Sequence, residues 1–155
     1  MTKKKWIIIL SIAAALLFGL LAWLIWDSAH LECNTYIISG ENLPAAFEGY
    51  RIAQISDLHN GKIGKDNQEL LSSLTELKPD MIAVTGDLVD SRNTDLEVAL
   101  RFMEQAMLIA PCYYVTGNHE ARIDSCTTLK AGLEKLGVIV LGDEKIELVR
   151  SGEKL

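Results

Sequence analysis

The chain has 155 residues, which is enough for one folded domain and a short additional segment. It carries 21 acidic residues against 15 lysines and arginines, for a formal net charge of −6. This balance argues against a nucleic-acid-binding surface, because affinity for a phosphate backbone comes from clustered basic side chains.

The first predicted element is an uninterrupted apolar segment over residues 6–26, WIIILSIAAALLFGLLAWLIW. A helix of this length, at about 1.5 Å per residue, spans the ~30 Å hydrocarbon layer of a bilayer. A cleaved signal peptide is the alternative, since Lys3, Lys4 and Lys5 would form its basic region. However, its apolar region is usually about 7–15 residues long and ends at a small-residue cleavage site. We therefore predict a transmembrane signal anchor.

The lysines also predict an orientation. Lys3, Lys4 and Lys5 precede the span, and the next lysine or arginine is Arg51. The positive-inside rule then leaves residues 1–5 as a cytoplasmic tail, with the domain extracytoplasmic at the cell membrane. The 12 remaining basic and 21 acidic residues give the exported part a net charge of −9. Such a charge suits divalent cations better than anionic lipid headgroups.

Residues 27–50 are predicted to form a juxtamembrane linker that contains a candidate first strand, Thr35–Ser39. Residues 51–155 are predicted to form an α/β domain. Its predicted strands are 51–56, 81–85, 112–116, 138–141 and 145–150, the last leading into a hairpin turn at Ser151-Gly152. Its predicted helices are 67–77, 94–107 and 125–136. The second helix begins with a capping box of Thr94 and Glu97. Such alternation indicates a parallel sheet with helices on both faces.

Polar clusters follow three of these strands. The clusters are Asp57-Leu58-His59, Gly86-Asp87 and Gly117-Asn118-His119-Glu120. Because ligands bind beyond the carboxyl ends of parallel strands, we expect the clusters to meet at one edge of the sheet. Carboxylates, imidazoles and amides are donors to divalent metals. Each cluster alone is also typical of a turn or a helix cap, but their joint pattern favours a metal site.

Two details of the backbone are expected to shape that site. If the strand geometry persists, Asp57 and His59 point to the same side and reach one ion. Gly86 and Gly117 are expected to let the backbone turn sharply beside the metals.

The segments ISDLHNG, VTGDLVD and VTGNHE resemble the first three motifs of the calcineurin-like metallophosphoesterases. The resemblance extends from Arg51 to the C-terminus, and the layout is similar to bacterial members that act near the membrane. It implies a transmembrane helix followed by the first half of an αββα sandwich. It also implies two divalent ions (Mn, Fe or Zn) that hydrolyse a phosphoester or pyrophosphate at the outer face of the membrane.

The resemblance further implies a role for each site residue. It assigns four metal ligands, namely Asp57, His59, Asp87 and Asn118. Of these, Asp57 and His59 hold the first ion, Asp87 bridges both, and Asn118 binds the second. His119 is implied to be a catalytic residue that stabilises phosphoryl charge or protonates the leaving oxygen, with Glu120 tuning it.

The chain departs from the family in its histidines. The family completes its metal shell with a later histidine and a G-H-x-H motif, whereas this chain has His30, His59 and His119 and none beyond. The second ion would have two protein ligands, fewer than the four or more expected. We therefore expect that the C-terminal half is absent and that activity is impaired. The chain is then either a fragment of a longer protein or a truncated gene product.

Two other functions stay open. One is a non-catalytic, membrane-anchored relic or binding module that retains the half-fold. The other is a nucleotide-binding α/β module, which the lack of a glycine-rich phosphate loop disfavours. For the enzyme, the expected partners are a phosphate-ester substrate, with lipid-linked esters as candidates, and the membrane through residues 6–26. An in-frame downstream sequence encoding Gly-His-x-His would favour the enzyme.

Overall fold

The computed structural model describes residues 2–28 and 31–155, and the chain divides into two compact units, 1–35 and 36–155. The first unit contains one helix, α1 (Lys3–Ser28). Its stretch Lys3–Leu24 is long and apolar enough to cross a membrane, with a mean hydropathy of 2.7. The helix therefore contains all of residues 6–26, the predicted span. His30, one of the three histidines, lies outside the described residues.

The second unit is built on a parallel sheet. Its strands, in spatial order, are β1 (Ile52–Ile55), β2 (Met81–Thr85), β3 (Cys112–Val115) and β4 (Ile139–Leu141). The helices between them are α2 (Gln68–Leu77), α3 (Leu96–Met107) and α4 (Cys126–Lys135). These seven predicted elements all form, and their ends lie within one or two residues of the predicted bounds. The sequence pattern is sufficient here because buried parallel strands and amphipathic helices have distinct periodicities.

The helices lie on one face of the sheet, so the prediction of helices on both faces is wrong. Helix α3 contacts α2 on one side and α4 on the other, which makes a single layer. Ile82, Val84 and Tyr114 face this layer and are buried, whereas Ile52 on the opposite face is exposed. The strands follow one another in sequence order. Right-handed crossovers that always step in one direction place every helix on the same side. One sheet with one helical layer is half of an αββα sandwich.

Helix α3 is capped by Asp95 and not by the predicted Thr94. The Oδ1 atom of Asp95 accepts hydrogen bonds from the backbone N–H groups of Glu97 (3.1 Å) and Val98 (3.3 Å). Thr94 instead donates its hydroxyl to the backbone carbonyl of Asp90 at 2.9 Å. An N-cap side chain must reach the second and third helical N–H groups, and only Asp95 directly precedes the first helical residue.

The segment 35–39, predicted as a candidate first strand, lies outside regular secondary structure. Tyr36, Ile37 and Ile38 are 83%, 93% and 84% exposed. A strand needs a neighbour to receive its backbone hydrogen bonds, and none of the strands in the described part of the chain pairs with this segment.

A short antiparallel hairpin follows the sheet. It consists of β5 (Val149–Arg150) and β6 (Glu153–Lys154). The turn residues Ser151 and Gly152 have φ values of 51° and 84°, the left-handed pair that a tight two-residue hairpin turn requires. The predicted turn is confirmed, although the strand before it is shorter than the predicted 145–150.

Candidate metal centre

The three polar clusters meet at the edge of the sheet where β1, β2 and β3 end. The backbone N–H of Asp57 donates to the carbonyl of Gly86 at 3.2 Å, and that of His59 donates to the carbonyl of Asp87 at 2.8 Å. The backbone N–H of His119 donates to the Oδ1 atom of Asp87 at 2.8 Å. Neighbouring parallel strands thus deliver the sequence-predicted site residues into one hydrogen-bonded set of loops.

The backbone in these loops is left-handed at three candidate ligands. The φ angle is 57° at Asp57, 49° at His59 and 51° at Asp87. This conformation costs a residue other than glycine on the order of 1–3 kcal/mol, so the surrounding structure must hold it. Strand geometry, the condition under which the two side chains were expected to point to the same side, does not persist through Asp57 and His59, since β1 ends at Ile55. The two side chains still meet, with Asp57 Oδ1 lying 3.6 Å from His59 Nε2.

Gly86 and Gly117 lie back to back at the centre of the site. Gly86 has φ of 94°, a region that glycine enters freely, which confirms the predicted sharp turn. Gly117 is required for a different reason, namely space. A Cβ atom on Gly117 would collide with Asp87 Oδ1 and lie 2.5 Å from the backbone nitrogen of Asp87. The two loops approach more closely than side chains at these positions would allow.

The side chains at this edge offer a compact set of metal donors. One donor atom from each of His59, Asp87 and His119 lies within 4.8 Å of the other two. The side-chain amide of Asn118 lies beside the same carboxylate, and with its nitrogen turned toward Asp87 it donates a hydrogen bond to Oδ2 at 3.1 Å. Rotation of this amide would turn its oxygen toward Asp87 and make that oxygen a donor to an ion. Carboxylate, imidazole and amide donors together fit a divalent ion.

His59 adds a second sign of such an ion. Its Nδ1 atom is buried and has no hydrogen-bond partner among the described residues. Buried polar atoms are almost always paired, and an unpaired one calls for a missing partner. The residues present therefore fit a metal.

The ring of His119 makes hydrogen bonds that the other candidate ligands do not make. Its Nδ1 atom lies 3.0 Å from the backbone nitrogen of Ser91 and 3.2 Å from the Ser91 hydroxyl. A backbone N–H only donates, so Nδ1 must accept, and the neutral ring carries its proton on Nε2. A ligating nitrogen must be unprotonated. His119 thus lies close to the donor cluster with its Nδ1 atom engaged by Ser91.

Asp90 faces the same ring, with its Oδ1 atom 4.0 Å from His119 Nδ1. The backbone N–H of Arg92 holds the pKa of Asp90 below its usual value, and that of Asn93 adds to the effect, while partial desolvation opposes both. These bonds keep the Asp90 carboxylate ionised and directed toward the loop that carries Ser91.

The sequence analysis did not identify two residues that support the site, Asn60 and Ser91. The Asn60 side chain accepts from the backbone N–H of Asp90 at 2.8 Å and donates to the carbonyl of Asp95 at 2.6 Å. It thereby fixes the loop that carries Ser91, whose N–H orients His119. Nothing in the local sequence distinguishes Ser91 from any loop serine. The one available signal was the position of Asn60 directly after the D-x-H motif.

The hydrogen bonds of Glu120 differ from those that the resemblance to the family implied. It was expected to tune His119, but Ser91 makes the hydrogen bonds to that ring. The carboxylate of Glu120 accepts instead from three backbone N–H groups, those of Asp87, Val89 and Gly117.

Comparison with known proteins places this site in a family. The family model described as calcineurin-like phosphoesterase matches residues 50–152. A transmembrane protein with metallophosphoesterase domain from Danio rerio is 35% identical over 82 residues, 52% of this chain and 19% of that protein. The Bos taurus protein of the same name is 30% identical over 121 residues, 77% of this chain and 27% of that protein. A metallophosphoesterase of Aquifex aeolicus is 29% identical over 124 residues, 79% of this chain and 47% of that protein.

The matched segment of the chain thus spans less than half the length of each of these relatives. The match at 50–152 contains all three polar clusters and the sheet edge where they meet. The apolar helix α1 and the names of the two vertebrate relatives both suggest a membrane protein. The chain belongs to the calcineurin-like phosphoesterase family.

Proposed function

We propose that this chain carries part of the active site of a membrane-anchored, divalent-metal-dependent phosphoester hydrolase. The observation that carries the proposal is the position of Asp87. Its Oδ2 atom lies 3.1 Å from the side-chain amide of Asn118, and its carboxylate belongs to the donor cluster that contains His59. A carboxylate shared in this way is what allows two cations to lie close together. Asp57 and His59 would complete the first ion's protein ligands, and Asn118 would bind the second.

The proposed roles of the metal ions and of His119 follow from the chemistry of the groups at the site. Two divalent ions, when bound, supply neutralisation of phosphoryl charge and activation of water. His119 acts as the catalytic residue beside them, because its Nε2–H is a donor for a phosphoryl oxygen or for the leaving group. Ser91 fixes the tautomer that makes this donation available, and Asp90 lies on the far side of the ring as a nearby negative charge.

The second ion has Asp87 and Asn118 as its donors among the described residues. Protein sites for such metals usually provide four or more donors, counting water. We therefore expect the 155-residue chain by itself to bind the first ion better than the second and to hydrolyse substrate slowly. The alternative, a non-catalytic binding module with the same half-fold, predicts metal binding without hydrolysis.

Hydrolysis of p-nitrophenyl phosphate, with MnCl2 added to the full chain in detergent, tests the proposal. We expect slow turnover that EDTA abolishes. His119→Ala should reduce the rate about 100-fold, the usual contribution of an acid-base group. The same variant should keep the Mn²⁺ affinity measured by calorimetry, because His119 is not a ligand, whereas Asp57→Ala should lose it.

Hydrolysis that survives EDTA, or that Asp57→Ala leaves unchanged, would refute the proposed metal-dependent hydrolase. Metal binding with no chelator-sensitive hydrolysis at all would favour the binding module. Fast chelator-sensitive turnover would support the enzyme but contradict the ligand count, and would mean that a second copy of the chain supplies donors.

The natural substrate in this proposal is a phosphomonoester, phosphodiester or pyrophosphate, and the anchor makes lipid-linked esters candidates. We further propose that α1 crosses the membrane once through residues 6–26, with residues 1–5 in the cytoplasm, because Lys3, Lys4 and Lys5 precede this apolar segment and the next lysine or arginine is Arg51.

A reporter enzyme that is active only outside the cytoplasm, fused after Leu155, should therefore be active. Moving the three lysines from the tail to positions just after Asp27 should reduce that activity, because the charge bias reverses. The unmodified fusion is the control. A reporter that is active only in the cytoplasm would contradict the orientation.

A further inference from the structure

Glu120 is a fully buried carboxylate beside the metal centre. It is the last residue of the third polar cluster, is 0% exposed and begins a short turn, Glu120–Arg122. Burial raises the pKa of the neighbouring Tyr114 hydroxyl, and the Glu120 charge raises it further, so Tyr114 stays neutral. A buried carboxylate is strongly unfavourable unless hydrogen bonds replace the water it has lost. The groups that replace that water indicate what the residue does.

Those groups all belong to the backbone of the metal-binding loops. The Oε2 atom of Glu120 accepts from the N–H of Gly117 at 2.7 Å and from the N–H of Asp87 at 2.9 Å. Its Oε1 atom accepts from the N–H of Val89 at 3.0 Å. One side chain thus joins the loop after β2 to the loop after β3.

One of the residues that Glu120 binds, Asp87, has an unfavourable backbone conformation. Asp87 has φ of 51°, and such a conformation persists only where the surroundings impose it. Glu120 bonds the N–H of Asp87 and that of Val89, two residues further on, so it holds both ends of the left-handed turn. This turn also directs the Oδ1 atom of Asp87 toward His119, whose backbone N–H donates a hydrogen bond to it at 2.8 Å.

We propose that Glu120 is a positioning residue that preorganises Asp87 and His119 for the metal ions and the phosphoester while touching neither. The proposal rests on the metal site proposed above. A charge-assisted acceptor for three N–H groups stabilises the loop arrangement before any ion binds. Loss of the Glu120 carboxylate should therefore lower the affinity for metal even under conditions in which the domain stays folded.

Glu120→Gln is the sharpest variant, because it keeps the shape but turns one of two acceptor atoms into a donor that faces an N–H. We expect Mn²⁺ affinity, measured by calorimetry on the full chain in detergent, to fall about tenfold for Glu120→Gln and about 100-fold for Glu120→Ala. Circular dichroism checks that each variant is folded at the temperature of the titration.

Two control variants separate positioning from general effects. Glu134→Gln removes the same charge from an exposed position on α4, and Leu133→Ala destabilises the buried face of the same helix. Both should keep the wild-type Mn²⁺ affinity while folded. Wild-type affinity in folded Glu120→Gln, or an equal loss in Leu133→Ala, would overturn the proposal.

Hydrogen exchange on the wild-type chain decides the question if Glu120 variants do not fold. The amides of Asp87, Val89 and Gly117 should be protected without metal, because Glu120 already binds them. Rapid exchange of all three without metal, followed by protection when Mn²⁺ is added, would show that the ions and not Glu120 order the loops. If the wild-type chain fails to bind Mn²⁺, the proposed function fails, and the protection of these amides still reports on Glu120 by itself.

Discussion

Replacing Asp87 with asparagine is expected to abolish measurable divalent-metal binding. Asparagine keeps the side-chain shape, tolerates the left-handed backbone and still accepts the N–H of His119, so the change isolates the negative charge. We expect affinity for Mn²⁺ to fall more than about 100-fold, because even residues one step outside a ligand set cost 10–100-fold. Calorimetric titration with MnCl2 measures the change. Asp87→Ala should show the same loss, with added destabilisation of the loop.

The matched control is Asp124→Asn, which removes one carboxylate charge from an exposed position between α4 and the metal loops. It should bind Mn²⁺ like the wild type. Tight binding by Asp87→Asn would contradict the assignment of Asp87 as the shared ligand and, with it, the two-metal arrangement. Equal losses in both variants would point to net charge as the cause.

Replacing Gly117 with alanine is expected to destabilise the fold by about 2–3 kcal/mol, at the upper end of the range for forcing extra atoms into a packed site. The new Cβ atom would collide with Asp87 Oδ1 and lie 2.5 Å from the Asp87 backbone nitrogen. Because Gly117 lacks a positive φ, this penalty is steric and does not come from backbone conformation. The midpoint of urea unfolding, with the chain in detergent, measures it.

Gly40→Ala is the control for this change. No atom lies within 4 Å of the position that its Cβ would take, and its φ is not positive. Alanine there should leave stability unchanged or raise it by up to about 1 kcal/mol, through lower entropy of the unfolded chain. If Gly117→Ala unfolds at the wild-type urea concentration, the loops are able to separate, and the close approach at Gly86 and Gly117 is not required.

The sequence by itself determined the four strands of the main sheet, the three helices between them and the candidate ligands of the site. Strands such as 81–85 are continuous apolar runs, and helix 96–107 repeats its apolar residues on one face, so local periodicity identifies both. The convergence of Asp57, Asp87 and Asn118 on one edge also followed from the sequence, because parallel strands must end at the same side.

The tertiary structure decided the features that depend on contacts between distant segments. The left-handed turn at Asp87 is held by Glu120, 33 residues away, and His119 is oriented by Ser91, 28 residues away. Neither pairing leaves a periodicity in the sequence. The helices lie on one face because of the strand order, and the segment 35–39 has no strand partner. Periodicity reports which side of an element is buried, whereas the partner that buries or bonds it is set only when the chain folds.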